Sequence, residues 1–323
     1  MMNLIQKIML LVLFFCSSLA YSQQDSQFPQ KPIKIIISFT AGGTTDILAR
    51  EVGNQLSIRL KVPVIVENHA GAAGNLGTEI VNRSAPDGYT LLASSIGPIS
   101  INPSLFSNLA VNPQKTLQPV AMIGDVPNIL VVPSNIGVKN WKDFIAYTKA
   151  NSANINYGST GIGTTAHLIS FLFSQKININ ALHIPYKGAE ATRDLVAGRL
   201  QFMFATAPSV VPLIKSGQLT AVAVSSKKRM SALPDLPTLN EVGIDIATGA
   251  WFGLFAPIKT SPEITKKINE TVLAILEEPA IKQKLLGLGS DPSPLSVQDF
   301  TKFIQNDYAL WAPVVKASGA KPE

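Results

Sequence analysis

The stretch Ser38-Phe39-Thr40-Ala41-Gly42-Gly43-Thr44-Thr45-Asp46-Ile47-Leu48-Ala49-Arg50 decides how the rest of the chain is read. Ahead of it, Ile33-Lys34-Ile35-Ile36-Ile37 is β-branched and apolar, the pattern of a strand buried on both faces. Behind it, Leu48, Val52, Leu56 and Leu60 recur every four residues and mark one helix face. Strand, glycine turn and helix form the opening corner of an α/β sheet. Gly42 and Gly43 permit a sharp turn and close approach to a ligand. Thr44 or Thr45 can cap the helix, and Asp46 in its first turn suits the helix dipole. Free N–H groups at such a start bind anions without a charged side chain. Glycine-rich corners also serve as plain connections in α/β folds, so this segment alone leaves both readings open.

Outward from it the pattern continues. Residues 62–67 read as a second strand, followed by the glycine-rich run Gly71 to Thr78 and a helix through Arg83. Pro86-Asp87-Gly88-Tyr89 is a turn signal. Residues 90–93 read as a third strand, with Ser94 and Ser95 at its carboxyl edge, where open α/β sheets hold ligands. Residues 98–119 lack periodicity. Residues 120–132 read as a long extended crossing, interrupted at Pro127, into a second domain. Asn140-Trp141-Lys142-Asp143 resembles a capping box, with a helix to about residue 150.

The second unit repeats the first. A strand at 155–157 meets a glycine corner at 158–167 that contains Ser159, Gly161, Gly163, Thr164 and His167. Leu168, Phe171 and Leu172 mark the next helix face. Strands follow at 181–185, 202–205 and 219–225, with helices at 187–198 and 208–217. The last strand leads back to the first domain. A strand at 251–256 precedes helices that start at Ser261-Pro262-Glu263 and Ser296-Val297-Gln298-Asp299. Phe300, Ile304 and Trp311 lie along one side of the final helix, and Pro313 is expected to kink or end it. The expected organisation is a 1–22 leader, a first lobe of 23–124 plus 226–323, and a second lobe of 125–225. Two crossings let such lobes hinge around a cleft.

The chain has 323 residues, 46% hydrophobic and 15% charged, which fits about two packed domains rather than disorder or coiled coil. Lys7 followed by the apolar 8–15 run reads as a secretory leader too short to span a bilayer. Cleavage after Ala20 or after Ser22 fits the small residues there, and Ser22 is preferred. The lone Cys16 falls inside the leader, and Phe15 before it argues against lipid attachment. The mature chain therefore contains no cysteine for disulfides, thiol catalysis or metal binding. Without Lys7, 26 basic residues face 21 acidic ones, a net charge of +5, which attracts anionic solutes. Lys227-Lys228-Arg229 is short, lacks aromatic interleaving and reads as a solvated loop, so no nucleic-acid partner is expected.

His69, His167 and His183 have no metal-ligand spacing, and no nucleophile elbow or P-loop occurs. Gly161-Ile162-Gly163 to Ala166 matches only a loose dinucleotide pattern and lacks the acidic ribose contact. His167 reads either as a cap-region or core histidine or as a ligand contact. Trp251 reads as lobe packing or as a stacking platform. No catalytic residue, metal or cofactor is expected.

An ordered series of motifs then carries a resemblance. Phe39, Gly42-Gly43 and Asp46 come first, followed by Val66-Glu67-Asn68 to Gly77-Thr78 and Pro86-Asp87-Gly88-Tyr89-Thr90-Leu91-Leu92. Tyr157-Gly158-Ser159 to His167, Pro185-Tyr186-Lys187-Gly188 and Leu233-Pro234-Asp235-Leu236-Pro237-Thr238 complete it. Together they resemble the Bug family, the TctC-like extracytoplasmic receptors of tripartite tricarboxylate transporters. The resemblance implies a type II periplasmic binding protein of two α/β lobes, with mixed, mainly parallel sheets, closing like a flytrap. It implies a monomer that holds a small carboxylate by backbone N–H groups, hydroxyls and waters. It would deliver that solute to a two-component membrane permease of the TctA/TctB type.

By position, the resemblance assigns the first-lobe site to Phe39, Ala41, Gly42, Gly43, Thr44 and Asp46, with Ser94 and Ser95. It assigns Ser159, Gly161, Gly163, Thr164 and His167 in the second lobe. Ser38, His69-Ala70 and Ala73 depart from the family's usual Pro, Arg-Pro and Gly. Met203-Phe204-Ala205 stands where the family commonly has Met-Phe-Asp. The missing carboxylate points to a simple acid with one or two carboxylates and an apolar or aromatic body. A ligand-sensing subunit of a signalling system is the alternative reading; an exported enzyme is a lesser one.

Overall fold

The structure is a computed structural model that describes residues 28–321. The leader, its cleavage point and Cys16 lie outside the described residues. β1 (Ile33–Ile37) runs parallel to β2 (Val64–Asn68) on one side and to β3 (Thr90–Ser95) on the other. All five β1 positions except Lys34 are buried, as an apolar run between two neighbours requires. β9 (Gly249–Pro257) inserts antiparallel between β3 and the long β4 (Leu117–Pro133). Past β4 come β7 (Phe202–Thr206), antiparallel to it, then β5 (Asn156–Ser159) and β6 (Leu182–Pro185), parallel to β7 and to each other in turn. β8 (Leu219–Val224) and β10 (Asp291–Pro292) also pair with β4. The wings are thus parallel and the centre antiparallel.

β4 belongs to both halves. Its Leu117 to Pro127 stretch pairs with β9, and its Asn128 to Pro133 stretch pairs with β7 and β8. Pro127 was expected to interrupt it and does not. It falls where the partner strand changes, so the missing N–H removes little of either ladder.

Helices cover the faces: α1 (Thr44–Leu60), α2 (Asn75–Asn82), α3 (Trp141–Ala150), α4 (Thr165–Lys176), α5 (Glu190–Val196) and α6 (Ala207–Lys215). α7 (Pro262–Glu277), α8 (Pro279–Leu288) and α9 (Val297–Ser318) follow the last long strand. Leu48, Val52 and Leu56 of α1 are fully buried on the expected face. Asn140 Oδ1 accepts the Asp143 N–H at 3.1 Å, so the capping signal before α3 is real. In α4 the buried apolar face is Ala166, Leu168, Ile169 and Phe173, whereas Phe171 and Leu172 are half-buried. α9 continues through Pro313 to Ser318, so the proline does not end it; the buried Trp311 and Val315 hold the helix on both sides. No helix among the described residues is long and apolar enough to cross a membrane.

A large core cluster underlies the first half and continues under α5 and α6. Trp251 is buried in it, edge-on to Phe300 at 5.7 Å, and its Nε1 donates to Asp307 Oδ2 at 2.9 Å. It is therefore a packing residue. The second half has its own cluster around Phe144, Phe173, Phe202 and Phe204, whose rings meet edge to face. Leu239 and Ile246, which follow β8, pack into this second cluster.

Candidate functional site

Both glycine corners sit at carboxyl ends of strands and face each other across the sheet's midline. In the first, Gly42 takes φ +81°, a conformation that costs glycine little. Its N–H donates to Asp46 Oδ2 at 3.0 Å. Asp46 Oδ1 accepts from Arg50 Nε at 2.7 Å and Asn68 Nδ2 at 3.0 Å, and Asn68 Nδ2 also reaches the Phe39 carbonyl at 3.0 Å. Both Asp46 oxygens are thus committed to bracing the loop. Asp46→Ala should strand three donors and cost about 2 kcal/mol of stability in chemical denaturation. A loss within about 0.5 kcal/mol would remove the bracing role.

α1 starts at Gly43 with no side-chain cap. Neither Thr44 nor Thr45 caps it, against expectation. The Thr44 hydroxyl instead meets the Thr206 hydroxyl at the end of β7, 2.6 Å away. The first N–H groups of α1 are consequently left without a side-chain partner at the helix's positive end.

The second corner is tied differently. Ser159 Oγ accepts the Gly161 N–H at 3.2 Å and lies 2.7 Å from His183 Nε2. Thr164 caps α4, accepting the His167 N–H, while its Oγ donates to the Gly161 carbonyl at 2.7 Å. His167 Nδ1 accepts the Gly163 N–H at 3.1 Å. Burial pushes the His167 imidazole down to about 4. Burial first, and His167 second, push His183 down to about 3.

The first corner touches the loop after β6 across the cleft. Thr40 Oγ1 donates to the Lys187 carbonyl and accepts the Ala189 N–H, both at 3.1 Å. Between these contacts lies an inner chamber of about 50 Å³, and outside it an open cleft of about 520 Å³. Phe39, Thr160 and Gly188 border both. Nine hydroxyl residues line the chamber and no Lys, Arg, Asp or Glu does. The outer cleft is bounded by Phe39, Phe106, Ile162 and Tyr186, with Lys187 and Glu190 at its rim.

Of the residues assigned from sequence, Phe39, Gly43, Thr44, Ser95 and Thr164 line the inner chamber. Gly161 borders the outer cleft. Ala41, Gly42, Asp46, Ser94, Ser159, Gly163 and His167 line neither. Asp46, Ser159 and His167 are bonded to the loops themselves, and Ser94 Oγ meets Ser38 Oγ at 3.2 Å. Thr45, Thr160, Thr165, Thr192, Thr206 and Ser209 line the chamber and went unassigned. Thr206 ends β7, so the strand-edge rule that pointed to Ser95 would have found it. Among the described residues no group of three or more His, Cys, Asp or Glu could hold a metal ion.

Residues 48–320 match the family model described as tripartite tricarboxylate transporter family receptor. Three solved structures are similar over the described fold. A Rhodopseudomonas palustris protein, Rpa4515 with adipate, is 31% identical with a TM-score of 0.89, covering 92% of this chain and 100% of that one. The periplasmic binding protein BugD is 32% identical with a TM-score of 0.86, at the same coverage. MatC from the same R. palustris species with bound malate is 29% identical with a TM-score of 0.82, covering 89% of this chain and 100% of that one.

Proposed function

The chain belongs to the tripartite tricarboxylate transporter receptor family, a family of solute receptors rather than enzymes, and from that premise we propose that it captures a small carboxylate between two lobes. The observation that carries this is the chamber's lining: hydroxyls and an uncapped helix start, with no charged side chain. Such a site stabilises carboxylate oxygens by oriented dipoles. The two lobes are the sheet halves that share β4, and closure brings Thr40 and Thr44 onto the loops of the opposite half. The relatives holding adipate and malate favour this ligand class. Export to the periplasm and delivery to a two-component permease as a monomer complete the reading.

Ala205 is buried and lines neither cavity, so the ligand preference rests on the chamber. No carboxylate lines the chamber, where an ammonium group beside the bound carboxylate would lie, and the outer cleft offers aromatic surface with Glu190 as its one acidic side chain. The acid is therefore one with an apolar or aromatic body rather than an amino acid. A thermal-shift panel of plain dicarboxylates, aromatic acids and amino acids tests this. A ligand at a hundred times its dissociation constant adds about 2.7 kcal/mol, so plain and aromatic acids should raise the melting temperature most. Aspartate outranking both would overturn the preference, and no response to any acid would overturn the carboxylate reading. Receptor-dependent uptake of the best acid by cells with and without the permease tests delivery.

A further inference from the structure

The imidazoles of His167 on α4 and His183 on β6 stack face to face, with centroids 3.9 Å apart and planes 7° off parallel. His183 stacks in turn on Tyr157 of β5 at 5.0 Å. Each ring holds one side of the second glycine corner. His167 Nδ1 receives the Gly163 N–H, so its remaining proton sits on Nε2. His183 Nε2 meets Ser159 Oγ, which also receives the Gly161 N–H and donates to the Gly161 carbonyl at 3.0 Å. With the proton on His183 Nε2, every hydrogen-bonding position of that hydroxyl is filled.

We propose that the stacked histidine pair is a positioning device for the second jaw, holding residues 158–164 in the one backbone arrangement that can face the bound acid. This rests on the carboxylate reading of the cleft. Gly161 and Gly163 have φ of +141° and +78°, and the loop's own hydrogen bonds all converge on Gly161, leaving Gly163 to be held from outside by His167. The device works only while both rings are neutral. A proton on His167 Nδ1 would remove the acceptor of the Gly163 N–H, and two stacked imidazolium rings repel. The ionisable groups facing the pair are Tyr157, whose hydroxyl burial pushes up to about 12, and each other. Among the described residues no carboxylate hydrogen-bonds or ion-pairs with either ring to offset a positive charge.

Three variants and two readouts decide the matter. His167→Phe keeps a stacking ring but offers no acceptor; His167→Gln offers an acceptor that does not titrate; His183→Phe removes the Ser159 contact. Relative to wild type at pH 7, His167→Phe and His183→Phe should bind the best acid of the panel at least tenfold more weakly. His167→Gln should recover most of that loss. With the folded His167 ring lowered to about 4, wild-type affinity should hold from pH 7 down to about pH 5 and fall only as the pH approaches 4, and His167→Gln should flatten the fall. Backbone amide exchange in the unliganded protein is the second readout: Gly163 should exchange faster in His167→Phe and at the wild-type rate in His167→Gln. Unchanged Gly163 exchange in His167→Phe, or affinity within threefold of wild type, overturns the proposal. A wild type that binds no acid, together with faster Gly163 exchange in His167→Phe, overturns the carboxylate reading and leaves the positioning role standing.

Discussion

Gly188→Val is expected to weaken acid binding about 100-fold while leaving the unliganded protein folded. Gly188 has φ +74°, and a side chain there would run into the Thr40 hydroxyl of the opposite half. That clash exists only when the first glycine corner meets the loop after β6. A loss of about 2.7 kcal/mol in the closed state alone gives the 100-fold change. Gly217→Val is the matched control: φ is +75° there, but nothing lies within 4 Å of an added Cβ. Both variants carry the same backbone penalty of about 1–2 kcal/mol, so only the steric part separates them. Solution scattering should show that wild type contracts with its acid and Gly188→Val does not. Equal affinities for the two variants would mean that the Thr40–Gly188 approach is irrelevant to binding.

Phe300→Ala is expected to lower stability by about 4 kcal/mol, near the upper part of the range for buried aromatic truncations. Phe300 is fully buried, sits edge-on to Trp251, and lies 5.6 Å from Phe255. Its ring covers Gly253, where even a methyl group would collide with it. It is therefore the point at which α9 is fastened to β9. Phe300→Leu should recover about half of the loss, since less volume is removed. Urea denaturation with unchanged slope would read the difference as stability alone. A loss under about 1.5 kcal/mol would show that α9 is fastened elsewhere.

The strands and helices were legible in the sequence because their signals are local. β1 appears in its apolar run, α1 in the spacing of Leu48, Val52 and Leu56, and α3 and α9 in their Asn140 and Ser296 caps. Pro127, which does not break β4, and Pro313, which does not end α9, are cases where packing across the chain outweighs a local rule. The site was legible in part. Gly43, Thr44 and Thr164 stand in glycine corners that any βα reading would single out. Thr192 and Thr206 reach the chamber only because β4 brings the second wing opposite the first. Asp46 and His167 looked like ligand groups by type and place, but each is spent on a neighbouring loop amide. Whether a polar side chain faces a solute or its own backbone is settled by angles that residue order does not encode.

The insertion of β9 between β3 and β4 sets the order in which the protein can be assembled. β3 ends at residue 95 and β4 at residue 133, yet the strand that joins them begins at residue 249. Until that segment arrives, one side of β3 and the Leu117 to Pro127 stretch of β4 are open rims that invite pairing with other chains. Such distant partners meet slowly, so these rims stay open longest during folding. Each wing can pair internally before then, β1 with β2 and β3, and β4 with β7 and β8, but only residues 249–257 weld the two wings into one sheet.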